Sequence, residues 1–223
     1  MSNKLSLPAL GEKFPHLEVS TSQGAKVLPE DYNGKWFVLF SHPGDFTPVC
    51  TTEFESFAMH EKEFHDLNCE LIGLSLDSVE EHKNWISWIN ENAPAPINYP
   101  VIGDESAIEV ANTLGMVHSA LGNASIRAVF IVDDKGFLRL MMYYPMVIGR
   151  NISEIVRSVK ALQIFDKEKV LLPADYPNNK WLGDSKALLI SPQNEEMQTQ
   201  YEAAKEAGKI NSKADWFWFK DMK

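Results

Sequence analysis

Two continuous apolar runs with a helical period between them constrain this chain more than any other feature. KWFVLF at 35–40 and CELIGLSL at 69–76 show little polar alternation, the pattern of strands buried on both faces of a sheet. Between them Phe54, Phe57, Ala58, Phe64 and Leu67 recur at helical spacing, so one amphipathic helix is expected from Val49 to about Asp66. Upstream, Leu17 and Val19 alternate ahead of a turn that leads to Val27 and Leu28. Downstream, Ser78 with Glu81 forms a capping box for a second helix, whose inner face is expected to be Val79, Trp85, Ile86 and Ile89. A short strand at Val101 and Ile102 and a small helix from about Ala107 to Leu114 follow. IRAVFIVDDKGFLRLMMYY at 126–144 then reads as a hairpin turning at Asp133 to Gly136. Asn151 with Glu154 opens a closing helix, striped by Ile152, Ile155, Val156, Val159 and Leu162.

This order of elements describes an α/β chain with a thioredoxin-like fold, a central mixed sheet flanked by helices. Residues 1–165 are expected to form that domain. Residues 166–223 change character: Pro-dotted and irregular, with a polar helix at about Glu195 to Ala207 and an aromatic end, ADWFWF. This extension has too little periodicity for a large core of its own and is expected to pack on the main domain or on a partner subunit.

Charge and composition narrow the function classes. The net charge is −10, and nothing gathers the 21 Lys and Arg into a basic face, which argues against nucleic acid. No stretch approaches the ~18 consecutive apolar residues of a membrane span, and the opening MSNKLSLPALGEKFP lacks a secretory apolar run. With two cysteines and no secretory context, a cytoplasmic protein with reactive thiols is expected.

One of those cysteines lies in SHPGDFTPVCTTEF at 41–54. Thr47 suits an N-cap, Pro48 the first helical position and Cys50 the third. There the unpaired N–H groups and the positive end of the helix dipole favour thiolate over thiol. The plainer reading is a small buried apolar residue. Glu53 occupies the position where a C-x-x-C motif would have its second cysteine, so a local dithiol is excluded. What remains is a single thiolate acting on a small electrophile, with sulfenic acid as the first oxidation product.

Pro43, Thr47 and Cys50 in HPGDFTPVCTTE match the P-x-x-x-T-x-x-C signature of the peroxiredoxins. FSHPGDFTPVCTTEF, LIGLSLDSVEEHKNW, RAVFIVD and YYPMVIGRNISEIVR together resemble the one-cysteine, peroxiredoxin-six branch from about Leu5 to Phe165, and VLLPADYPNN extends the likeness. The resemblance implies a thiol-specific peroxidase that reduces hydrogen peroxide and organic hydroperoxides through a sulfenic acid at Cys50. Thr47 would turn its hydroxyl to the peroxide, and Pro43 would shield the site from water. Arg127 would stabilise the thiolate and the leaving oxygen. Arg150 resembles a second arginine near the cysteine, and His42 a histidine of the site wall that assists protonation or packs. The resemblance further implies no metal or cofactor, an external thiol reductant (thioredoxin, glutathione or a small thiol), and a homodimer gathered into a decamer of five dimers. The C-terminal segment would be exchanged between the partners of a dimer.

Two departures limit the likeness. Archaeal members often carry resolving cysteines in the C-terminal segment, and this one has none; Cys69, beyond the helix that Cys50 begins, reads as a core residue. A lipase segment of mammalian members has Lys35 in place of its serine, and GDSKA at 183–187 is no G-x-S-x-G elbow, so lipase activity is not expected. Two other functions compete. One is an oligomeric holdase or redox sensor, hinted at by Trp216 to Phe219 and by Trp88 lying off its helix's inner stripe. The other is a Cys–His acyl-transfer enzyme using Cys50 and His42.

Overall fold

A computed structural model describes residues 7–118 and 124–222. The opening residues on which the lack of a leader was read fall partly outside them. The chain divides into two compact units, Met1–Val156 and Arg157–Lys223.

The first unit is built on a seven-stranded mixed sheet. In chain order its elements are β1 (Leu17–Thr21), β2 (Gly24–Leu28), β3 (Trp36–Ser41), α1 (Pro48–Asp66), β4 (Cys69–Leu74), α2 (Val79–Asn92), β5 (Val101–Ile102), α3 (Asp104–Thr113), β6 (Arg127–Val132) and β7 (Leu138–Tyr144). The strands lie in the order β2-β1-β5-β4-β3-β6-β7. β3, β4 and β5 run parallel, while β6 pairs antiparallel with β3 and β1 with β5. The expected mixed sheet is thus present, with the two apolar runs side by side at its centre.

Period 2 along the strands sorts the core into two layers. Phe37 and Leu39 of β3, Ile72 and Leu74 of β4, and Ala128, Phe130 and Val132 of β6 share one cluster with Ala107, Val110 and Ala111 of α3. The alternate residues face the other way. There Phe40 stacks on Phe57 of α1 at 3.9 Å between ring centroids and meets Phe54 edge-on at 5.4 Å. Phe40 pairs in register with Val129, so Arg127, two residues before Val129, belongs to the α1 face as well.

α2 opens on the expected capping box, with Ser78 accepting from Glu81 N–H and the Glu81 carboxylate accepting from Ser78 N–H. Its inner face differs from expectation: His82, Trp85 and Ile89 are buried, whereas Val79 and Ile86 are half-buried. A histidine takes the place assigned to an aliphatic residue because its ring nitrogens find partners inside. Trp88 is half exposed, as its position off the stripe implied.

α4 (Ile152–Glu168) begins in the first unit and continues into the second, with Ile152, Ile155, Val156 and Val159 buried and Leu162 half-buried. The second unit is more regular than its sequence suggests. It contains β8 (Asn178–Asn179), β9 (Gly183–Asp184), β10 (Lys186–Leu188), α5 (Glu195–Glu206), β11 (Asn211–Ala214) and β12 (Phe217–Asp221). β12 sits between β10 and β11 in a three-stranded antiparallel sheet, and β8 pairs with β9. Trp218 of β12 is buried while Trp216, in the turn between β11 and β12, is exposed, so the ADWFWF end is the turn and first half of a hairpin strand with one tryptophan turned inward. No helix among the described residues is long and apolar enough to cross a membrane.

Candidate active site

The loop between β3 and α1 is tied down before the helix begins. His42 N–H donates to the Leu74 carbonyl at 2.9 Å, Ser41 Oγ to the Ile126 carbonyl at 2.6 Å, and Ser125 Oγ to the His42 carbonyl at 2.5 Å. Phe46 adopts φ 54°, a left-handed turn that brings Thr47 onto the helix end. Thr47 occupies the N-cap position and Pro48 the first turn, as expected. Yet the Thr47 hydroxyl does not cap: it donates to the Gly44 carbonyl at 2.9 Å, across the loop that holds Pro43. Pro43 is half-buried.

Cys50 is fully buried on the first turn of α1. Arg127 Nη1 donates to its sulfur at 3.4 Å, a contact that negative charge on the sulfur strengthens. The same Nη1 lies 2.5 Å from Glu53 Oε2, and Arg127 Nε donates to the Met146 carbonyl at 2.8 Å. Arg150 directs its donors to Glu53, from N–H and Nε to Oε1 and from Nη2 to Oε2, each at 2.8 Å, and from Nη1 to the Ala128 carbonyl. The two arginines named from the sequence therefore meet, but Arg150 joins Cys50 through Glu53.

Glu53 is a site residue that the sequence reading passed over. Burial raises its carboxyl, but the charge and hydrogen bonds of Arg150, then Arg127, outweigh burial and hold it below the ordinary range. Two guanidiniums and one carboxylate leave a net positive charge beside the sulfur. The available signal was spacing: Glu53 lies three residues after Cys50, on the same face of one helix.

His42 is fully buried, stacked on Trp85 at 5.1 Å and edge-on to Phe54 at 4.6 Å. Its Nε2 meets Asp45 Oδ1 at 2.8 Å, and His82 Nδ1 meets Asp45 Oδ2 at 2.6 Å. Asp45 and His82 were also missed. His42, Asp45 and Asp77 each offer a ligand atom within 4.8 Å of the others, but the protein's own donors already face the two carboxylates: Asp77 Oδ2 accepts from Asp45 N–H and from Ser75 Oγ. Outside the loop, Phe46, Thr47, Pro48, Thr51, Trp85 and Trp88 line an apolar groove of about 380 Å³. A buried sulfur, a guanidinium aimed at it and a hydroxyl-bearing turn beside it suit nucleophilic attack on a small polar electrophile.

Residues 10–141 match the model of the AhpC/TSA family. The chain is 52% identical over 214 residues to peroxiredoxin 2 of Sulfurisphaera tokodaii, covering 96% of this chain and 95% of that one. It is 50% identical over 216 residues to the peroxiredoxin of Archaeoglobus fulgidus, covering 96% and 99%. Among solved structures, the yeast mitochondrial 1-Cys peroxiredoxin, described for thiol resolution via glutathione/thioredoxin systems, superposes with a TM-score of 0.82 at 33% identity, covering 97% of this chain and 100% of that one. Peroxiredoxin 6 of Arenicola marina gives 0.82 at 32% identity, covering 96% and 98%.

Proposed function

The chain belongs to the AhpC/TSA family of peroxiredoxins, and on that premise we propose that Cys50 is the nucleophile of its thiol peroxidase reaction. The fold is thioredoxin-like, and the enzyme is a peroxidase, an oxidoreductase of a family that uses peroxide substrates and thiol reductants. The observation that carries the assignment to Cys50 is the Arg127 guanidinium donating to its sulfur on the first turn of α1.

The Cys50 thiolate attacks the terminal oxygen of a hydroperoxide. The S–O bond forms as the O–O bond breaks; the sulfur keeps the hydroxyl as sulfenic acid, and the leaving oxygen takes up a proton to become water or an alcohol. Arg127 stabilises the charge that moves from sulfur to the leaving oxygen. Thr47 and His42 bind the peroxide at the loop, Pro43 limits water, and Arg150 fixes Glu53 and through it Arg127. One external thiol then condenses with the sulfenic acid, releasing water, and a second restores Cys50 as a disulfide leaves. Glutathione and thioredoxin, the systems described for the yeast relative, are the reductants to try first.

The enzyme acts as a cytoplasmic homodimer, gathered into a pentamer of dimers, with residues 1–165 as the catalytic domain and 166–223 as the dimerisation segment. The exposed Trp181 and Trp216 of the second unit support that role for the segment. Consumption of hydrogen peroxide and of cumene hydroperoxide with dithiothreitol tests the reading: wild type turns over and Cys50→Ser does not. Turnover that survives Cys50→Ser would overturn it.

A further inference from the structure

A chain of three buried side chains runs from β5 to the reactive loop. His82 Nε2 lies 3.1 Å from the Ile102 carbonyl, His82 Nδ1 lies 2.6 Å from Asp45 Oδ2, and Asp45 Oδ1 lies 2.8 Å from His42 Nε2. Both histidines are fully buried, and the Asp45 side chain is 2% exposed.

The partners dictate where the protons are. A backbone carbonyl only accepts, so His82 Nε2 carries hydrogen. At 2.6 Å a second proton lies between His82 Nδ1 and Asp45. Burial raises the Asp45 carboxyl, but the hydrogen bonds from His42 and His82 outweigh it and hold the group below its ordinary range. Asp45 is then a carboxylate that accepts from His82 Nδ1. An Asp45 carboxylate accepts at Oδ1 as well, so His42 carries its hydrogen on Nε2. Burial lowers the pKa of His42 and keeps it neutral. Its Nδ1 is left as a lone pair, buried and without a partner among the described residues.

Other groups around His82 act in both directions. Asp77 from the β4–α2 loop and Glu81 on α2 itself add negative charge nearby, whereas the N-terminal end of α2 opposes a cation. Close packing serves the same pair: a Cβ at Gly103 would sit 2.9 Å from the His82 ring, so only glycine there lets the chain approach.

We propose that His82 and Asp45 are positioning residues that hold His42 as the neutral Nε2–H tautomer, so that its Nδ1 accepts the O–H of the bound hydroperoxide. The role in peroxide binding rests on the peroxidase reading above; the tautomer does not. With its lone pair inward, His42 orients the terminal oxygen for attack and is not the proton source for the leaving group.

The experiment is long-range 1H–15N NMR on full-length, 15N-histidine-labelled protein at pH 7, paired with the second-order rate of Cys50 oxidation. In the wild type His42 carries its proton on Nε2 alone. His82→Leu mixes the His42 tautomers and slows oxidation about tenfold, while His82→Gln, whose amide still donates to Asp45, restores much of the rate. Should His42 in the wild type carry its proton on Nδ1, or should His82→Leu fold with the tautomer and rate unchanged, the proposal is overturned. The expected tautomers in a protein whose Cys50 resists peroxide would uphold the relay and sink the peroxidase reading alone.

Discussion

Arg150 closes on both oxygens of the Glu53 carboxylate, Nε on Oε1 and Nη2 on Oε2, each at 2.8 Å. Arg127 takes what is left of that carboxylate and extends the same Nη1 to the Cys50 sulfur. Glu53 thus holds together two like charges that would otherwise repel, and aims one of them at the nucleophile. Arg150 also lies over the rings of Phe40 and Phe57, so its position is set by packing as well as by charge.

Replacing Glu53 by glutamine keeps the volume and removes the charge. Two buried guanidiniums then lack a counter-ion, which costs about 3–5 kcal/mol of folding stability. Oxidation of Cys50 slows about a hundredfold because Arg127 is no longer aimed. Urea denaturation and stopped-flow oxidation read the two effects separately. An unchanged midpoint with an unchanged rate would refute this account of the triad.

Arg127→Lys separates charge from geometry. An ammonium lacks the fork that serves Met146, Glu53 and Cys50 together. The variant is expected to lose about 10²–10³ in the second-order rate with hydrogen peroxide, close to the loss in Arg127→Met. If lysine recovers the wild-type rate, point charge alone suffices and the fork is irrelevant.

Acid weakens the fold through Glu53 and Asp45. Both carboxyls titrate lower in the folded chain than in the unfolded one. Their contribution is fully present above the ordinary carboxylate range and is lost as pH falls through the depressed folded values. Urea midpoints are therefore expected to decline gently below about pH 6.5, where the unfolded chain protonates His42 and the folded chain resists it, and to drop more steeply below about pH 4. The drop should be smaller in Glu53→Gln. A profile flat to pH 3, or the same slope in both proteins, would contradict the assignment.

Much of this was legible because it was local. The apolar runs, the helical period and the capping box each reflect neighbours in sequence, and β3, β4, α1 and α2 follow from them. Cys50 on the first turn of α1 follows from the statistics of Thr, Pro and helix starts. Glu53 was not legible in the same way. An acidic residue one turn into a helix ordinarily faces solvent, and its burial depends on Arg127 and Arg150, 74 and 97 positions away. His82 misled for the same reason: its partners, Asp45 and the Ile102 carbonyl, arrive from other elements. In the second unit, strands of two or three residues are too short to leave a period, so β8, β9 and β10 could not be read.

Cys50 lies on the first turn of α1 and Cys69 beyond its far end, and the helix from Cys50 to Asp66, at ~1.5 Å per residue, holds them more than about 20 Å apart. A disulfide needs Cα atoms within ~7 Å, so this pair joins only if the helix melts. Cys69 also pairs with Trp36 across the β3–β4 ladder, is 1% exposed, and has its thiol pushed well up by burial, so little thiolate forms there. One equivalent of hydrogen peroxide without added thiol is therefore expected to place one oxygen on Cys50 and leave Cys69 unmodified by peptide mapping. Cys69→Ala should turn over at the wild-type rate with dithiothreitol. A mapped Cys50–Cys69 disulfide, or turnover lost in Cys69→Ala, would show that α1 opens during the cycle and that the second cysteine resolves the first.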